Sequence, residues 1–429
     1  MRKLFNIGVV GLGYVGLPLA SELSNFFNVY GYDTSKSRIE ELKNFFDRYK
    51  ILKKNDFFKK NKIKFTNDSS QLVNCNFFIV TVPTPVKKNN TPDMTYLEKA
   101  CIKIGPYLKK DSFVVFESTV YPGATREICI PILEKYSNLK FRKDFFIGYS
   151  PERISVGDKN KNLKNITKII SSDPNNKISY IKYVYSKILK NKLYIAESIE
   201  VAEFAKVFEN TQRDLNISLV NELSLICNKM NIDTKNVINA AATKWNFVKY
   251  NPGLVGGHCI SVDPYYLSYK AKKIGYKTRL INAGRNVNNK MPRFVFENIK
   301  KKLNKNINLK NLKVGIMGLS FKENCKDIRN SKIFDLIDIF EKNGIKTYLH
   351  DPYVINEEVE KMYNKTITPF SYLPQRLDII VLALKHKEYV KYGYNKILKK
   401  LKPNGIFADL KSTFDENKIE KLNFKYFCL

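Results

Sequence analysis

Near its amino terminus the chain reads Leu4-Phe5-Asn6-Ile7-Gly8-Val9-Val10-Gly11-Leu12-Gly13-Tyr14-Val15-Gly16. The apolar run up to Val10 predicts a strand, and the residues after Gly16 predict the start of a helix. Glycines in the order G-x-G-x-x-G between a strand and a helix let the backbone N–H groups of the turn approach a pyrophosphate. The arrangement predicts a dinucleotide site, with a purely structural βαβ unit as the alternative.

A second predicted strand ends in an acid, Asp33, at a distance of 20 residues from Gly13. An acid at this point accepts hydrogen bonds from the ribose hydroxyls of a dinucleotide and repels a 2′-phosphate. The cofactor predicted from these residues is therefore NAD rather than NADP.

Polar turns follow three further predicted strands. Residues 77–82 lead to Thr84 and residues 113–116 lead to Thr119, while the strand 145–149 leads to Glu152. Ligands of an open α/β sheet lie at the carboxyl ends of its strands, so these turns are expected to face cofactor or substrate. Glu152 is either a carboxylate that positions water or an acid of a surface loop.

Apolar residues recur at spacings of three and four between Ser198 and Met230, which predicts one long helix. Lys206, Asn210 and Arg213 fall on a single face of it. Such a stripe is either a solvated face or a set of groups that stabilise an oxyanion.

The run Gly256-Gly257-His258-Cys259-Ile260-Ser261-Val262-Asp263-Pro264 places a thiol on a glycine turn beside a histidine, with an acid four residues later. Glycine allows positive φ angles and close backbone approach. This pattern favours a reactive Cys259, although free cysteines are also common as small buried hydrophobes.

After Lys313 the chain starts again with a strand and a glycine turn, and further strands and helices alternate to its end. We therefore predict an α/β protein with two doubly wound, Rossmann-like domains joined by a helical domain that contains the long helix. The predicted domains are residues 1–197, 198–305 and 306–429. Phe321, Lys322, Asp327 and Arg329 follow the second glycine turn and suit an aromatic stack with phosphate pairing, or a solvated basic loop.

Composition limits the classes of function. The formal net charge is +33, from 74 basic and 41 acidic residues, but the lysines are spread over nearly every segment. No nucleic-acid motif accompanies this charge, so a phosphate-bearing small ligand is expected and nucleic acid is not. Seven irregularly spaced cysteines predict neither a disulfide framework nor a metal site. Without a visible signal peptide or apolar span, we expect a cytoplasmic protein that does not enter a membrane.

Taken together, these motifs resemble those of the UDP-glucose/GDP-mannose dehydrogenase family, over essentially the whole chain. The motifs that carry the resemblance are Gly11-x-Gly13-x-x-Gly16 with Asp33, Glu117-Ser118-Thr119, Ser150-Pro151-Glu152-Arg153, Lys206-x-x-x-Asn210, Gly256-Gly257-His258-Cys259 with Asp263, and Phe321-Lys322. Within the family, the segments 210–216, 243–247 and 257–267 are similar to the UDP-N-acetylglucosamine 6-dehydrogenases of bacterial surface-polysaccharide pathways.

The resemblance implies oxidation of a sugar C6 alcohol to a carboxylate with two NAD, through a thioester on Cys259. It implies the following catalytic residues: Cys259, Lys206, Asp263, Asn210, Thr119 and Glu152. Implied cofactor contacts are Gly11, Gly13, Tyr14, Val15, Gly16, Asp33, Arg38, Thr84 and Thr119. Implied substrate contacts are Glu152, Arg153, Lys206, Asn210, Arg213, Lys249, Gly256, His258, Phe321 and Lys322.

The sugar stays open at this point, because UDP-N-acetylgalactosamine, UDP-N-acetylmannosamine and UDP-glucose are alternatives to UDP-N-acetylglucosamine. We expect a homodimer or a higher homo-oligomer. A non-catalytic NAD-binding protein is the alternative of another class, but it would not need Cys259, Asp263 and Lys206 together.

Overall fold

The computed structural model describes residues 5–49, 52, 63–153, 166–189, 192–304 and 307–429. The chain divides into two compact units, one of Met1–Glu209 with Tyr265–Tyr276 and one of Asn210–Pro264 with Lys277–Leu429. Each unit contains one sheet. The predicted α/β class, with two doubly wound sheets and a helical segment with one long helix, is confirmed. The predicted boundary at residues 305 and 306, like Leu4, lies outside the described residues.

The sheet of the first unit has eight strands in the order β3-β2-β1-β4-β5-β6-β7-β8. In chain order they are β1 (Asn6–Val10), β2 (Asn28–Tyr32), β3 (Ile63–Thr66), β4 (Phe77–Val80), β5 (Ser112–Phe116), β6 (Phe145–Tyr149), β7 (Lys168–Asp173) and β8 (Leu193–Ile195). The pairs are parallel except that β7 runs antiparallel to β6. β3 was not among the strands expected from the sequence.

Register brings the ends of the first strands to one edge of this sheet. Val10 pairs with Tyr32 of β2 and with Val80 of β4, so the turns after these strands start side by side. The strand order reverses direction between β1 and β4, and that point is where open α/β sheets bind ligands. The buried residues of these strands are almost all apolar, as parallel strands covered on both faces require.

Helices cover the first sheet. They are α1 (Gly16–Leu23), α2 (Lys36–Lys43), α3 (Thr95–Ile104), α4 (Ile130–Ser137) and α5 (Ile178–Leu189). Side chains of α1 and α5 join those of the central strands in one buried cluster, which includes Leu19, Val29, Phe113 and Ile181.

The helical segment follows the first sheet. It contains α6 (Ile199–Met230), α7 (Thr234–Ala241), α8 (Asp263–Lys273) and α9 (Leu280–Lys301). The carboxyl-terminal half of α6 is joined to α9 by a buried polar network, in which Asp214 pairs with Arg285 at 2.7 Å and Asn221 donates to Asn288 at 2.8 Å. Buried polar groups of this kind must be satisfied by each other, so the network specifies the alignment of the two helices.

The sheet of the second unit has five parallel strands in the order β10-β9-β11-β12-β13. They are β9 (Lys313–Met317), β10 (Lys346–His350), β11 (Leu377–Leu382), β12 (Leu401–Asp409) and β13 (Lys425–Phe427), accompanied by α10 (Lys332–Lys342), α11 (Asn356–Tyr363), α12 (Lys387–Leu398, interrupted at Gly393) and α13 (Glu416–Glu420).

Successive side chains of these strands point to opposite faces of the sheet. Ile316 and Val381 belong to the cluster on one face, and Met317 and Leu382 belong to the cluster on the other. Both faces are thus covered, which is the doubly wound arrangement. In the part of the chain that the structure describes, no helix is both long enough and apolar enough to cross a membrane.

Candidate active site

The glycine loop between β1 and α1 has a backbone that other residues could not adopt. Gly11 has φ of +95°, and a Cβ on Gly16 would lie 1.9 Å from the carbonyl oxygen of Gly11. A Cβ on Gly13, by contrast, would meet nothing within 4 Å, so it would project into open space above the loop. Gly11 and Gly16 therefore close the turn, and Gly13 leaves its outer side clear for a ligand.

The start of α1 offers donors to that ligand. Val15 is the residue before the helix and makes no side-chain cap, and the first turn holds no acidic residue. Unpaired N–H groups and the positive end of the helix dipole are what a pyrophosphate requires. The loop and helix end thus fit the NAD predicted from the sequence.

Asp33 lies directly beside the loop. Its Oδ2 accepts from the N–H of Leu12 at 2.9 Å, and its Oδ1 accepts from the N–H of Ser35 at 2.9 Å. These bonds fix the carboxylate at the end of β2, where a ribose is recognised in dinucleotide sites.

Arg38 lies on the other side of Leu12. Its Nε donates to the carbonyl oxygen of Leu12 at 3.1 Å, Nη1 pairs with Asp47 at 2.8 Å, and Nη2 is buried without a partner among the described residues. The rings of Tyr14 and Tyr49 pack with their centres 4.8 Å apart, and the Arg38 guanidinium lies over the Tyr49 ring. Arg38 thus shapes the glycine loop and still has its Nη2 amino group to donate.

The two threonine turns are joined at the same edge of the first sheet. Thr84 donates its hydroxyl to the carbonyl oxygen of Thr119 at 2.6 Å, and Ser118 donates to the carbonyl oxygen of Val82 at 2.7 Å. The Tyr266 hydroxyl donates to the carbonyl oxygen of Thr84. Thr84 and Thr119, which are far apart in sequence, therefore form one continuous polar rim.

Glu152 leaves β6 next to a buried cation that the sequence analysis did not identify. Lys168 Nζ lies 2.8 Å from Glu117 Oε2 and 3.6 Å from Glu152 Oε2, and the Tyr185 hydroxyl donates to the other oxygen of Glu117. Burial opposes the charge of Lys168, but the two carboxylates outweigh it and raise the pKa of Lys168. Glu152 is only 13% exposed at its side chain, so it is not an acid of a solvated surface loop.

A second buried carboxylate was also missed. Glu203 of α6 accepts from the N–H groups of Gly123 and Thr125 at 2.5 and 3.0 Å and from the Thr125 hydroxyl at 2.5 Å. Burial raises the pKa of Glu203 to about 7, against the effect of these hydrogen bonds. Glu203 holds the turn that follows Thr119. Its only sequence signal is its place on an apolar helix face.

Two further predicted site residues of the first unit, Lys206 and Arg153, differ in exposure. Lys206 is buried, at 6% exposure, and lies 3.9 Å from Glu209, so it is not part of a solvated face. Arg153 is exposed and donates to Glu209 at 3.0 Å and to the carbonyl oxygen of Thr167 at 3.2 Å.

In the second unit, residues 256–262 form the loop that carries Cys259, here called the cysteine loop. The backbone of this loop depends on its two glycines. A Cβ on Gly256 would lie 2.4 Å from the carbonyl oxygen of Asn330, and one on Gly257, where φ is +91°, would lie 2.7 Å from the Phe321 ring. Cys259 is partly exposed and is therefore not a fully buried hydrophobe. The N–H of Asp263 donates to the carbonyl oxygen of Cys259 at 2.9 Å, which turns the chain into α8.

Asp263 and Asn210 form a buried pair. The Asn210 amide donates to Asp263 Oδ2 at 2.6 Å, and both residues are buried. Arg213, predicted on the same stripe as Asn210, is exposed. The structure thus brings Asn210 to the acid of the cysteine loop.

His258 is contacted by Asp327 and Arg329, which lie in the segment after β9. Its Nδ1 lies 3.3 Å from Asp327 Oδ2 and 3.3 Å from Arg329 Nη2. Burial disfavours the imidazolium, but the charge of Cys259 and the bond to Asp327 outweigh it and raise the pKa of His258 to about 9. The Asp327 carboxylate is bound by the Arg329 Nη2 at 2.6 Å, so Arg329 is engaged within the protein.

Phe321 and Lys322 lie beside this cluster. The Phe321 ring meets the His258 ring edge-on at 5.6 Å, and Lys322 Nζ lies 5.7 Å from the centre of the Phe321 ring. Lys249 is exposed, and its Nζ donates to Asn239 Oδ1 at 2.7 Å.

The second glycine turn repeats one feature of the first. Gly318 has φ of +94°, and Asp351 at the end of β10 accepts from the N–H of Leu319 at 2.7 Å, as Asp33 does from Leu12. Asp351, however, is buried under His386, whose Nε2 lies 3.1 Å away while its Nδ1 accepts from the N–H of Asn324 at 2.8 Å. Asp351 therefore does not occupy the place of a ribose-binding acid. Through Leu319 and His386 it anchors the loop that carries Phe321 and Lys322.

Comparison with known families accounts for nearly the whole chain. Three models of the UDP-glucose/GDP-mannose dehydrogenase family match it: the NAD-binding domain at residues 5–189, the central domain at 200–290 and the UDP-binding domain at 315–416.

Individual relatives match over almost their full lengths. The chain is 46% identical to a UDP-N-acetyl-D-glucosamine 6-dehydrogenase of Salmonella typhi, over 94% of this chain and 95% of that protein. It is 45% identical to the enzyme of the same name of Pseudomonas aeruginosa, over 97% and 99%. The solved structure of a UDP-D-ManNAc dehydrogenase of Pyrococcus horikoshii matches with a TM-score of 0.88 at 27% identity, over 99% of this chain and 98% of that one. The chain therefore belongs to the UDP-glucose/GDP-mannose dehydrogenase family, and it is an NAD-dependent UDP-sugar dehydrogenase.

Proposed function

We propose that the protein oxidises the C6 alcohol of UDP-N-acetylglucosamine to the uronic acid with two NAD, through a thioester on Cys259. The observation that carries this proposal is a partly exposed thiol on a glycine turn, followed four residues later by Asp263. The Asp263 carboxylate accepts a hydrogen bond from the Asn210 amide at 2.6 Å. Bound NAD supplies a hydride acceptor for each of the two oxidations.

Cys259 divides this four-electron oxidation into steps. Loss of one hydride and one proton converts the alcohol to an aldehyde, and the thiolate then adds to the aldehyde carbon to form a thiohemiacetal. Loss of a second hydride, together with the hydroxyl proton, gives a thioester. Water attacks its carbonyl carbon, the carbon–sulfur bond breaks, and the thiolate and the acid are released.

For this reaction we assign charge-stabilising and proton-transferring roles. Lys206 and Asn210 would stabilise the alkoxide and oxyanion states, a contribution of about 3 kcal/mol for a well-placed donor. Asp263 would assist proton transfer. Thr119 and Glu152 would orient the water, and Lys168 Nζ, at 3.6 Å from Glu152 Oε2, helps to fix the position of that carboxylate.

We assign substrate recognition to both charged and aromatic groups. Further proposed contacts of the UDP-sugar are Arg153, Arg213, Lys249, Gly256, His258, Phe321 and Lys322. The position of Phe321 and Lys322 against the cysteine loop supports their part of this assignment.

The N-acetylglucosamine form of the substrate is supported by the names of the two relatives at 46% and 45% identity. UDP-N-acetylmannosamine is the second candidate, favoured by the name of the Pyrococcus structure. UDP-N-acetylgalactosamine and UDP-glucose complete the set of alternatives. The uronic acid formed would enter surface-polysaccharide synthesis, as the family resemblance implies.

We propose three functional segments: residues 1–197 bind NAD, residues 198–305 form the helical domain with Cys259, and residues 306–429 bind UDP.

We also propose a homodimer or a higher homo-oligomer. Large apolar side chains are exposed on α6, between α6 and α7 and after α7, and the Trp245 side chain is 91% exposed. The exposed residues are Val201, Phe204, Phe208, Leu219, Ile226, Met230, Ile232, Trp245, Phe247 and Val248. Exposed large apolar side chains are what a protein–protein interface would bury, which supports this proposal.

The cytoplasm is the proposed compartment, supported by the seven cysteines, all of which are free thiols.

The proposal is tested by NADH formation with a panel of UDP-hexoses, using the wild type, Cys259→Ala and Cys259→Ser. We expect NADH with the wild type, none beyond background with Cys259→Ala, and a sugar adduct on residue 259 by mass spectrometry in stalled reactions. Full activity of Cys259→Ala would refute the thioester. Binding of NAD without NADH formation from any UDP-hexose would favour the non-catalytic alternative.

A further inference from the structure

We propose that Asn221 is a positioning residue, which acts through the backbone of Gly253 to fix where the cysteine loop presents the Cys259 thiol. The inference rests on the proposed function of Cys259 as the nucleophile. It adds the means by which α6 holds the chain on both sides of this loop, at Gly253, three residues before it, and at Asp263, directly after it.

The first support is the contact between Asn221 and Gly253. Asn221 Oδ1 accepts from the N–H of Gly253 at 2.8 Å, and Asn221 Nδ2 donates to the carbonyl oxygen of Gly253 at 3.1 Å. Both residues are buried, and Gly253 lies outside the helices and strands. The side-chain amide thus takes the place of the backbone partners that a strand would supply, and two bonds to one residue fix the direction of the chain there.

The second support is the face of α6 from which both contacts come. Asn210 and Asn221 are 11 residues apart, which places them about 20° apart around the helix axis and about 16 Å apart along it. The Asn210 amide donates to Asp263 Oδ2 at 2.6 Å. One face of α6 therefore holds a residue on each side of the cysteine loop, and Cys259 lies between two fixed points.

The third support is that Asn221 is itself held by buried groups. Its Nδ2 also donates to Asn288 Oδ1 at 2.8 Å, and the Asn288 amide donates to Asp214 Oδ1 at 2.8 Å and to the Asp214 carbonyl oxygen at 3.1 Å. Arg285 pairs with the same Asp214 carboxylate at 2.7 Å. Both N–H groups of the Asn221 amide and its oxygen are in use, which leaves this side chain a single orientation.

The test is the ratio of aldehyde to acid among the products. In the proposed reaction, an aldehyde that the Cys259 thiol does not capture is free to leave the enzyme. An O-alkylhydroxylamine in the assay converts it to an oxime with loss of water, so that one NAD is reduced for each oxime and two for each acid. Mass spectrometry of the products from the UDP-hexose that gives the most NADH measures the ratio.

We expect the wild type to form mainly the acid. Asn221→Ala should raise the ratio of oxime to acid at least about tenfold, because a misplacement of about 1 Å can slow a positioned reaction about a hundredfold. Asn288→Ala should raise it less, since this change removes only the support of Asn221. Loss of stability alone lowers the amount of active protein and leaves the ratio unchanged.

Asn298→Ala is the matched control. Asn298 is also a buried asparagine of the second unit, but its amide donates to the carbonyl oxygen of Phe294 within α9 at 2.9 Å. The ratio of oxime to acid in this variant should equal that of the wild type.

A wild-type ratio in Asn221→Ala would overturn the inference. An equal rise in Asn298→Ala would do the same, because it would indicate a general loosening of the second unit. If Asn221→Ala does not fold, Asn288→Ala gives the comparison, and an unchanged ratio there counts against the role of Asn221. Failure of the proposed function would appear separately, as acid formation by Cys259→Ala.

Discussion

Lys168 Nζ lies 2.8 Å from Oε2 of Glu117, and both side chains are buried beneath the turns that carry Thr119 and Glu152. A buried ion pair costs much desolvation and is kept intact by further hydrogen bonds, here from Tyr185 to Glu117 and from Lys168 to the carbonyl oxygens of Ser150 and Pro151. The pair is therefore the internal support of the polar rim of the first sheet.

Lys168→Met should lower the free energy of unfolding by about 3–5 kcal/mol, because it leaves the Glu117 carboxylate buried without its cation. Urea denaturation followed by circular dichroism measures the loss. The double variant Lys168→Met/Glu117→Gln should recover part of it, since the neutral amide can still accept from Tyr185. Simple additivity of the two single losses would contradict the coupling.

Glu203→Gln should change how stability depends on pH. Burial raises the pKa of Glu203 to about 7 in the folded protein, above its ordinary value of 4.5. Between these values the folded state binds more protons at this group than the unfolded state, so its contribution to stability falls as pH rises and is lost above pH 7. The contribution is about 3 kcal/mol by linkage.

Thermal or urea denaturation of both proteins between pH 5 and 8 checks this. The stability of the wild type relative to Glu203→Gln should decline from pH 5 to about 7 and then level off. A difference that is constant over the whole range would show that Glu203 does not titrate there.

Asp33→Asn should narrow the preference for NAD over NADP. The wild type should strongly prefer NAD, because the carboxylate beside Leu12 repels a 2′-phosphate. The amide can still accept from the N–H of Leu12, so the loop should be retained while the preference falls about tenfold. The measurement is kcat/KM for both cofactors, with Asp144→Asn as a control away from the loop. An unchanged ratio in Asp33→Asn would exclude this role.

Gly257→Ala should destabilise the cysteine loop more than Gly275→Ala destabilises its own turn. Both glycines have positive φ, +91° and +83°, but only at Gly257 would a Cβ meet another group, the Phe321 ring at 2.7 Å. Backbone strain of about 1–2 kcal/mol is expected at both positions, with the clash added at Gly257. Melting temperatures of the two variants give the comparison, and Phe321→Leu should relieve Gly257→Ala alone.

UDP-N-acetylglucosamine, or its C4 epimer, should be oxidised at least about tenfold more efficiently than UDP-glucose. A pocket built for an acetamido group leaves a polar partner unpaired with glucose, which costs about 1–3 kcal/mol. The measurement is kcat/KM for each sugar at saturating NAD. A preference for UDP-glucose would leave the thiol chemistry intact and overturn the proposed specificity.

Much of this architecture follows from the sequence because its causes are local. Gly11, Gly13 and Gly16 stand between an apolar strand and a helix, and Asp33 ends the next strand, so turn chemistry and the strand and helix periods suffice to predict a dinucleotide site. The glycines before Cys259 and the spacing to Asp263 are equally visible. Short edge strands such as β3 and β13 escaped prediction, since runs of four and three residues are too short to establish a period.

The tertiary structure alone decided which charged residues are buried and with whom. Lys168 is one of 74 basic residues in a lysine-rich chain, and nothing next to it in sequence separates it from the exposed ones. Glu117 meets Lys168, and His258 meets Asp327, across 51 and 69 residues of chain. Burial and ion pairing of this kind arise from packing between distant segments, which local periodicity and turn signals do not encode.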